Sequence, residues 1–130
     1  MIFLDANYLV SYYIDTEKHH KRALEIDKEL GNRTQIISKL VIAEVINVLY
    51  TKLKIDKKII KEIYEKLKSE YTLIDDSYIF DKAIDRIMKA EKRFPFFDYA
   101  IITLMEDLGI KEIVTFDKHF NNIARIVRIC

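Results

Sequence analysis

Apolar residues along this chain fall into two patterns: short unbroken runs, and longer stretches where they recur every three or four positions. The first pattern predicts buried strands and the second predicts helices with one covered face. Residues 2–4 form the first run, apolar on both sides of the pleat, and it stops at Asp5. Further strands are predicted at 35–37, 71–74, 112–115 and 125–129.

Helical patterns fill the intervals. One covers 7–14, and a second covers 17–30, with Ala23, Leu24 and Leu30 on one side and Gly31 able to end it at positive φ. Ser38 is a good N-cap for a helix over 39–53 that is apolar nearly all round, and such a helix must be covered by the fold or by a partner. Asp56 opens another, with Ile59, Ile60, Ile63, Tyr64 and Leu67 at helical spacing. Asp76 is placed to cap the next, where Ile79, Phe80, Ala83, Ile84, Ile87 and Met88 repeat. Pro95 suits the first turn of a last helix that Gly109 ends. Strands alternating with helices imply an α/β fold: a central parallel sheet of four to five strands, flanked by helices on both faces.

Composition narrows this picture without redirecting it. The 130 residues suit one domain spanning 1–130, with no linker or repeat, and two Gly and one Pro are too few for an all-β or disordered chain. The formal charge of +1 means that any basic groove must be local. A single Cys, at position 130, excludes an intrachain disulfide and fits a reducing cytoplasm. Asp5 breaks the apolar opening too early for a secretory signal, and no apolar run reaches the roughly 20 residues of a membrane span. A soluble, cytoplasmic protein is expected.

Open parallel sheets bind ligands beyond the carboxyl ends of their strands. Asp5 ends the first strand, Asp117 follows the 112–115 strand, Glu44 lies in the second turn of the helix after the second strand, and Asp98 lies in the first turn after Pro95. Most acidic residues are solvated, and Asp98 alone would suit a helix dipole. Glu44 is different: it is the only charge between Lys39 and Lys52, and a charge on an apolar helix is costly unless paired or bound to a metal. Four converging carboxylates would repel and take up protons. A hard divalent cation, Mg²⁺ or Mn²⁺, removes that conflict and supports phosphodiester hydrolysis. No Gly-rich phosphate loop, nucleophile elbow or His–Cys zinc spacing competes.

With these residues assembled, the chain resembles the PIN-domain nucleases, particularly the VapC-like toxins of toxin–antitoxin pairs. FLDANYL resembles the opening motif, with Asp5 as first metal ligand and Asn7 orienting it; Glu44, Asp98 in FFDYAI, and Thr115 with Asp117 in VTFDKHF match the later ones. Asn7 departs from the commoner hydroxyl, and the stretch 52–61 is notably basic. The resemblance implies a PIN-like three-layer fold and a Mg²⁺- or Mn²⁺-dependent endoribonuclease. It also implies a homodimer and a small antitoxin covering the groove.

Lys118, Arg93 and Tyr12 are candidate RNA contacts, the cations for phosphate and the ring for a base. Lys118 and His119 could steer a phosphate or simply be exposed. The run Lys18, His19, His20, Lys21 and Arg22 reads as a solvated helix face, and its adjacent histidines diverge too far for zinc. Two rivals remain. Aspartyl-phosphate phosphohydrolases want an acid where Asn7 stands, and receiver domains want a second acid beside Asp5. A non-catalytic PIN-like binding module would carry an idle acidic cluster at a cost in stability. A housekeeping RNA-processing role is the alternative to a toxin.

Overall fold

The computed structural model describes residues 1–123 and 125–130. Five strands, β1 (Ile2–Leu4), β2 (Gln35–Ser38), β3 (Thr72–Ile74), β4 (Glu112–Val114) and β5 (Val127–Ile129), form one sheet in the order β3-β2-β1-β4-β5. Every pairing is parallel. The chain thus builds outward from β1 in one direction and then returns to build outward in the other. The reversal lies between β1 and β4, where Leu4 is in register with Val114. In open parallel sheets such a reversal point defines the crevice, at the carboxyl ends of the strands, where ligands bind.

The helices are α1 (Ala6–Tyr13), α2 (His20–Leu30), α3 (Lys39–Asn47), α4 (Lys57–Ser69), α5 (Phe80–Lys89) and α6 (Phe96–Leu108). Ile2, Phe3 and Leu4 are fully buried, and α6 buries eight consecutive residues from Asp98 to Met105. Those two elements form the middle of the core. Ser38 caps α3 as expected, its Oγ accepting from the Val41 N–H at 3.3 Å, and Asp56 caps α4 through the Lys58 N–H at 2.8 Å.

Several boundaries differ from expectation, each for a local reason. The segment before α2 closes separate turns, Glu17 N–H to Ile14 O and His20 N–H to Glu17 O, so the helix starts at His20 and not at 17. The stretch after Asn47 widens into a π-helical turn, Val48–Lys52. Asp76 does not cap its own helix; buried, it accepts from the Leu40 N–H at 3.3 Å and ties the start of α3 to the end of β3. Pro95 stands just outside α6 as its N-cap. Arg125 has φ of 67°, which no strand tolerates, so β5 begins at Val127.

The apolar α3 is only half covered. Val41, Val45 and the following Leu49 face the core, whereas Ala43 and Tyr50 are exposed. Helix α5 likewise leaves Phe80, Ile84 and Met88 open to solvent. Among the described residues no helix is long and apolar enough to cross a membrane.

Gly109 ends α6 in the left-handed region, at φ 69°. A Cβ there would touch nothing within 4 Å, so strain alone opposes substitution. Gly109→Ala should lower the unfolding free energy by about 1 kcal/mol, read from the urea midpoint at unchanged slope.

Candidate active site

The crevice between β1 and β4 is built by the residue following each strand. Asp5 leaves β1 as the N-cap of α1, its Oδ1 accepting the Ala6 N–H at 2.8 Å. Its backbone N–H reaches Val114 O at 3.0 Å, which continues the sheet and draws Thr115 alongside. Thr115 is fully buried and donates its hydroxyl to Asp5 Oδ2 at 2.8 Å. Thr115 Oγ1 in turn accepts from Asn7 Nδ2 at 3.0 Å and from the Asp117 N–H at 3.0 Å. Asn7 Oδ1 accepts the Phe116 N–H at 2.9 Å. Asp5, Asn7, Thr115 and Asp117 are therefore one connected network, assembled from the two ends of the sequence.

Asp98, in the first turn of α6, is buried. Its Oδ2 lies 3.0 Å from His119 Nδ1, and the same nitrogen is 3.2 Å from Asp117 Oδ1. Asp117 caps the short 3₁₀ turn that carries His119, accepting the His119 N–H at 2.9 Å. Asp98, Asp117 and His119 each offer a ligand atom within 4.8 Å of the others. Asp5 and Glu44 stand outside that tight group yet are electrically coupled to it.

That coupling appears in the proton affinities. Burial raises the Asp5 carboxyl to about 6 against the pull of the Thr115 and Ala6 donors, and the charges of Asp98 and Asp117 add to the rise. Glu44 is raised to about 7, first by burial and then by Asp5, Asp98 and Asp117. Asp98 is raised by burial, which outweighs the opposing hydrogen bond from His119. His119 is raised by its bond to Asp98 and by the Asp117 and Asp98 charges. Among the described residues no cation lowers the proton affinity of Asp5 or Glu44. A divalent cation fits the donors brought together, carboxylate oxygens of Asp98 and Asp117 with the His119 imidazole, and would relieve the repulsion from Asp5 and Glu44 beside them.

The outer candidates are placed unevenly. Lys118 and Arg93 are exposed, Lys118 beside Asp117 and Arg93 one residue before Phe94. Phe94 stacks on the His119 ring, centroids 5.0 Å apart. Tyr12 lies further along α1, half-buried, with its ring stacked on Tyr8 and its hydroxyl 3.5 Å from Asp27. The basic run near 20 is not a uniformly solvated face. His19 stacks on Phe116 at 4.3 Å, His20 Nδ1 meets Ser11 O at 2.8 Å, and Arg22 pairs with Glu25 and Glu29. Only Lys18 and Lys21 of that run are exposed. Sequence reasoning passed over His119 as part of the carboxylate cluster; the signal was its position two residues after Asp117, on the same tight turn.

The sequence matches the family model of the PIN domain over residues 2–126. The chain therefore belongs to the PIN-domain family. No curated protein matches it in sequence. Among solved structures it is similar to VapC20 of Mycobacterium tuberculosis, described as a sarcin-ricin-loop-cleaving toxin. That match has 14% identity and TM-score 0.82 over 97% of this chain and 98% of the other. VapBC2 of Rickettsia felis, bound to a promoter DNA fragment, is similar at 20% identity and TM-score 0.69, covering 99% and 98%. DNA-bound VapBC of Salmonella typhimurium follows at 16% identity and TM-score 0.66, covering 98% and 96%. At these identities the shared property is the fold, a parallel five-stranded sheet between helices.

A carboxyl raised above its unfolded value favours the folded state while protonated, and that advantage disappears as pH climbs through the raised value. For Asp5 at about 6 and Glu44 at about 7, the loss falls between about pH 4 and pH 7. With divalent ions chelated, urea unfolding should show stability falling across that window. Glu44→Gln should flatten the decline and raise the midpoint at pH 7.5. A wild-type profile that is flat or rises would refute this account of the electrostatics.

Proposed function

We propose that the chain is a divalent-metal-dependent endoribonuclease, acting as the toxin of a toxin–antitoxin pair in the cytoplasm. One observation carries this reading: Asp98, Asp117 and His119 bring ligand atoms within 4.8 Å of one another, and burial, with the neighbouring carboxylates adding to it, raises Asp5 to about 6 and Glu44 to about 7 beside them. Membership of the PIN family and the fold shared with a toxin that cleaves the sarcin-ricin loop supply the reaction class.

Asp5, Asp98, Asp117 and Glu44 would hold Mg²⁺ or Mn²⁺. A bound ion of that kind polarises a phosphate oxygen and lowers the pKa of water for in-line displacement. The protein's own contribution is orientation. Thr115 gives its only proton to Asp5 Oδ2 and takes two donors on its oxygen, so the Asp5 carboxylate cannot rotate freely. Asn7 pins the 115–116 backbone to α1 through the Phe116 N–H. Glu44, whose carboxyl titrates near neutrality, is suited to accept or return a proton at the crevice. Lys118 and Arg93, both exposed, offer charge to the RNA phosphates on either side. Tyr12 is the weakest of the proposed RNA contacts, since its ring and hydroxyl already have protein partners.

Two surfaces support partners. A cleft of about 710 Å³ between α3 and α4 is floored by Ile42, Ile46, Tyr64 and Leu73 and rimmed by Lys39 and Lys68. It suits an amphipathic antitoxin segment with acidic flanks, and two of the similar structures are toxin–antitoxin complexes on DNA. Elsewhere, Phe80, Ile84 and Met88 form an exposed stripe at four-residue spacing on α5, with the Phe96 ring edge-on to Phe80 at 5.4 Å. That stripe suits a homodimer contact.

Asp5→Asn and Asp98→Asn should each lower Mg²⁺- or Mn²⁺-dependent RNA cleavage by at least about 100-fold, with the circular dichroism spectrum unchanged. Undiminished cleavage by both folded variants would reject the assignment of the site. Met88→Asp should convert a dimer to monomer in light scattering and leave cleavage chemistry intact; a wild-type monomer would rule out the dimer.

A further inference from the structure

Among the described residues, His119 brings an imidazole nitrogen to the carboxylates of Asp98 and Asp117. Its Nδ1 lies 3.0 Å from Asp98 Oδ2 and 3.2 Å from Asp117 Oδ1, on the side where those two carboxylates face each other. Adjacent donors on an octahedron with bonds of roughly 2.1 Å stand about 3.0 Å apart. The two separations that meet at His119 Nδ1 are thus those of adjacent ligands on one ion, and all three residues offer a ligand atom within 4.8 Å of the others.

We propose that His119 Nδ1 is a direct ligand of the divalent cation, beside Asp98 and Asp117, and that this nitrogen biases the site toward Mn²⁺ over Mg²⁺. The proposal rests on the metal-dependent reading of the site and adds to it a ligand that the acidic motifs do not include.

Three features keep the ring in place for that task. The His119 backbone N–H is bonded to Asp117 Oδ1, so ligand and neighbour belong to one tight turn. Phe94 stacks on the imidazole at 5.0 Å with planes 14° apart, which restricts rotation about the Cβ–Cγ bond. Phe120, the next residue, is fully buried and anchors the turn. A side chain merely solvated beside Asp117 would need none of these. Imidazole is a borderline donor that favours later first-row ions, whereas Mg²⁺ prefers oxygen and keeps its waters. Replacing one oxygen position with nitrogen therefore shifts relative affinity without abolishing either ion.

Pulsed electron paramagnetic resonance of the full chain loaded with Mn²⁺ tests the assignment directly, because a ligating ¹⁴N modulates the electron spin echo. Wild-type protein should show that modulation, and ¹⁵N-histidine labelling should change its frequencies. His119→Gln should lose it and bind Mn²⁺ at least about tenfold more weakly in titration calorimetry, with Mg²⁺ affinity much less affected. Bound Mn²⁺ without ¹⁴N modulation in the wild type would overturn the ligand while leaving the metal site standing. Modulation that survives in His119→Gln would overturn it too, since His19 or His20 would then be the source. Absence of Mn²⁺ binding by the wild type would overturn this inference together with the nuclease reading beneath it.

Discussion

Repulsion among carboxylates that the fold itself brings together is the constraint around which the rest of this structure is arranged. The sheet reverses direction between β1 and β4, so the residues leaving those strands, Asp5 and Thr115, must be neighbours although 110 positions apart. Helices α3 and α6 then deliver Glu44 and Asp98 toward the same crevice. Each placement is sound locally: Asp5 caps a helix, and Asp98 suits the positive end of another. Together they concentrate negative charge where burial has removed the water that would screen it. The hydrogen-bond network of Thr115 and Asn7 orients the charge but does not cancel it, and burial first, with the neighbouring carboxylates second, raises the proton affinities of Asp5 and Glu44.

Much of this was legible in the sequence because the relevant signals are short-ranged. An unbroken apolar triplet ending in Asp5, a Ser38 cap before an apolar run and Gly109 after one each carry their own physics, and the strands and helices follow at nearly the expected places. Glu44 stood out for the same reason, as a lone charge in an apolar helix. What stayed hidden depends on contacts between distant segments. Asp76 has the look of a helix cap, but its oxygen goes to the Leu40 N–H across the sheet edge. The start of α2 gave way to turns tied to Ile14 and Glu17, and the basic run there is occupied by Phe116, Ser11 and two glutamates. For His119 the neighbour at Asp117 was visible in the sequence, but its contact with Asp98, 21 residues away in the chain, was not.

Two helices show how far hydrophobic pattern can mislead about burial. In α3 and the π-helical turn after it the apolar residues run almost all round, which implies full coverage, yet Ala43 and Tyr50 meet solvent. In α5 the repeat looks like a core-facing stripe, yet Ile84 and Met88 point outward while Ala83 and the preceding Ile79 are buried. A period of three to four residues establishes that a helix has an apolar side. It does not establish that this chain supplies the cover.

The strand order has a kinetic corollary. Loop closure between segments so far apart is slow and entropically costly, so β4 docks on β1 only after most of the polypeptide has been made. Until then Asp5 lacks Thr115, and Asp98 lacks Asp117 and His119. A nascent chain that has not yet extended past residue 114 carries three of the four carboxylates, Asp5, Glu44 and Asp98, and lacks Asp117 with Thr115 and His119. If the folded molecule cuts RNA, the topology itself spares the message from which it is being translated.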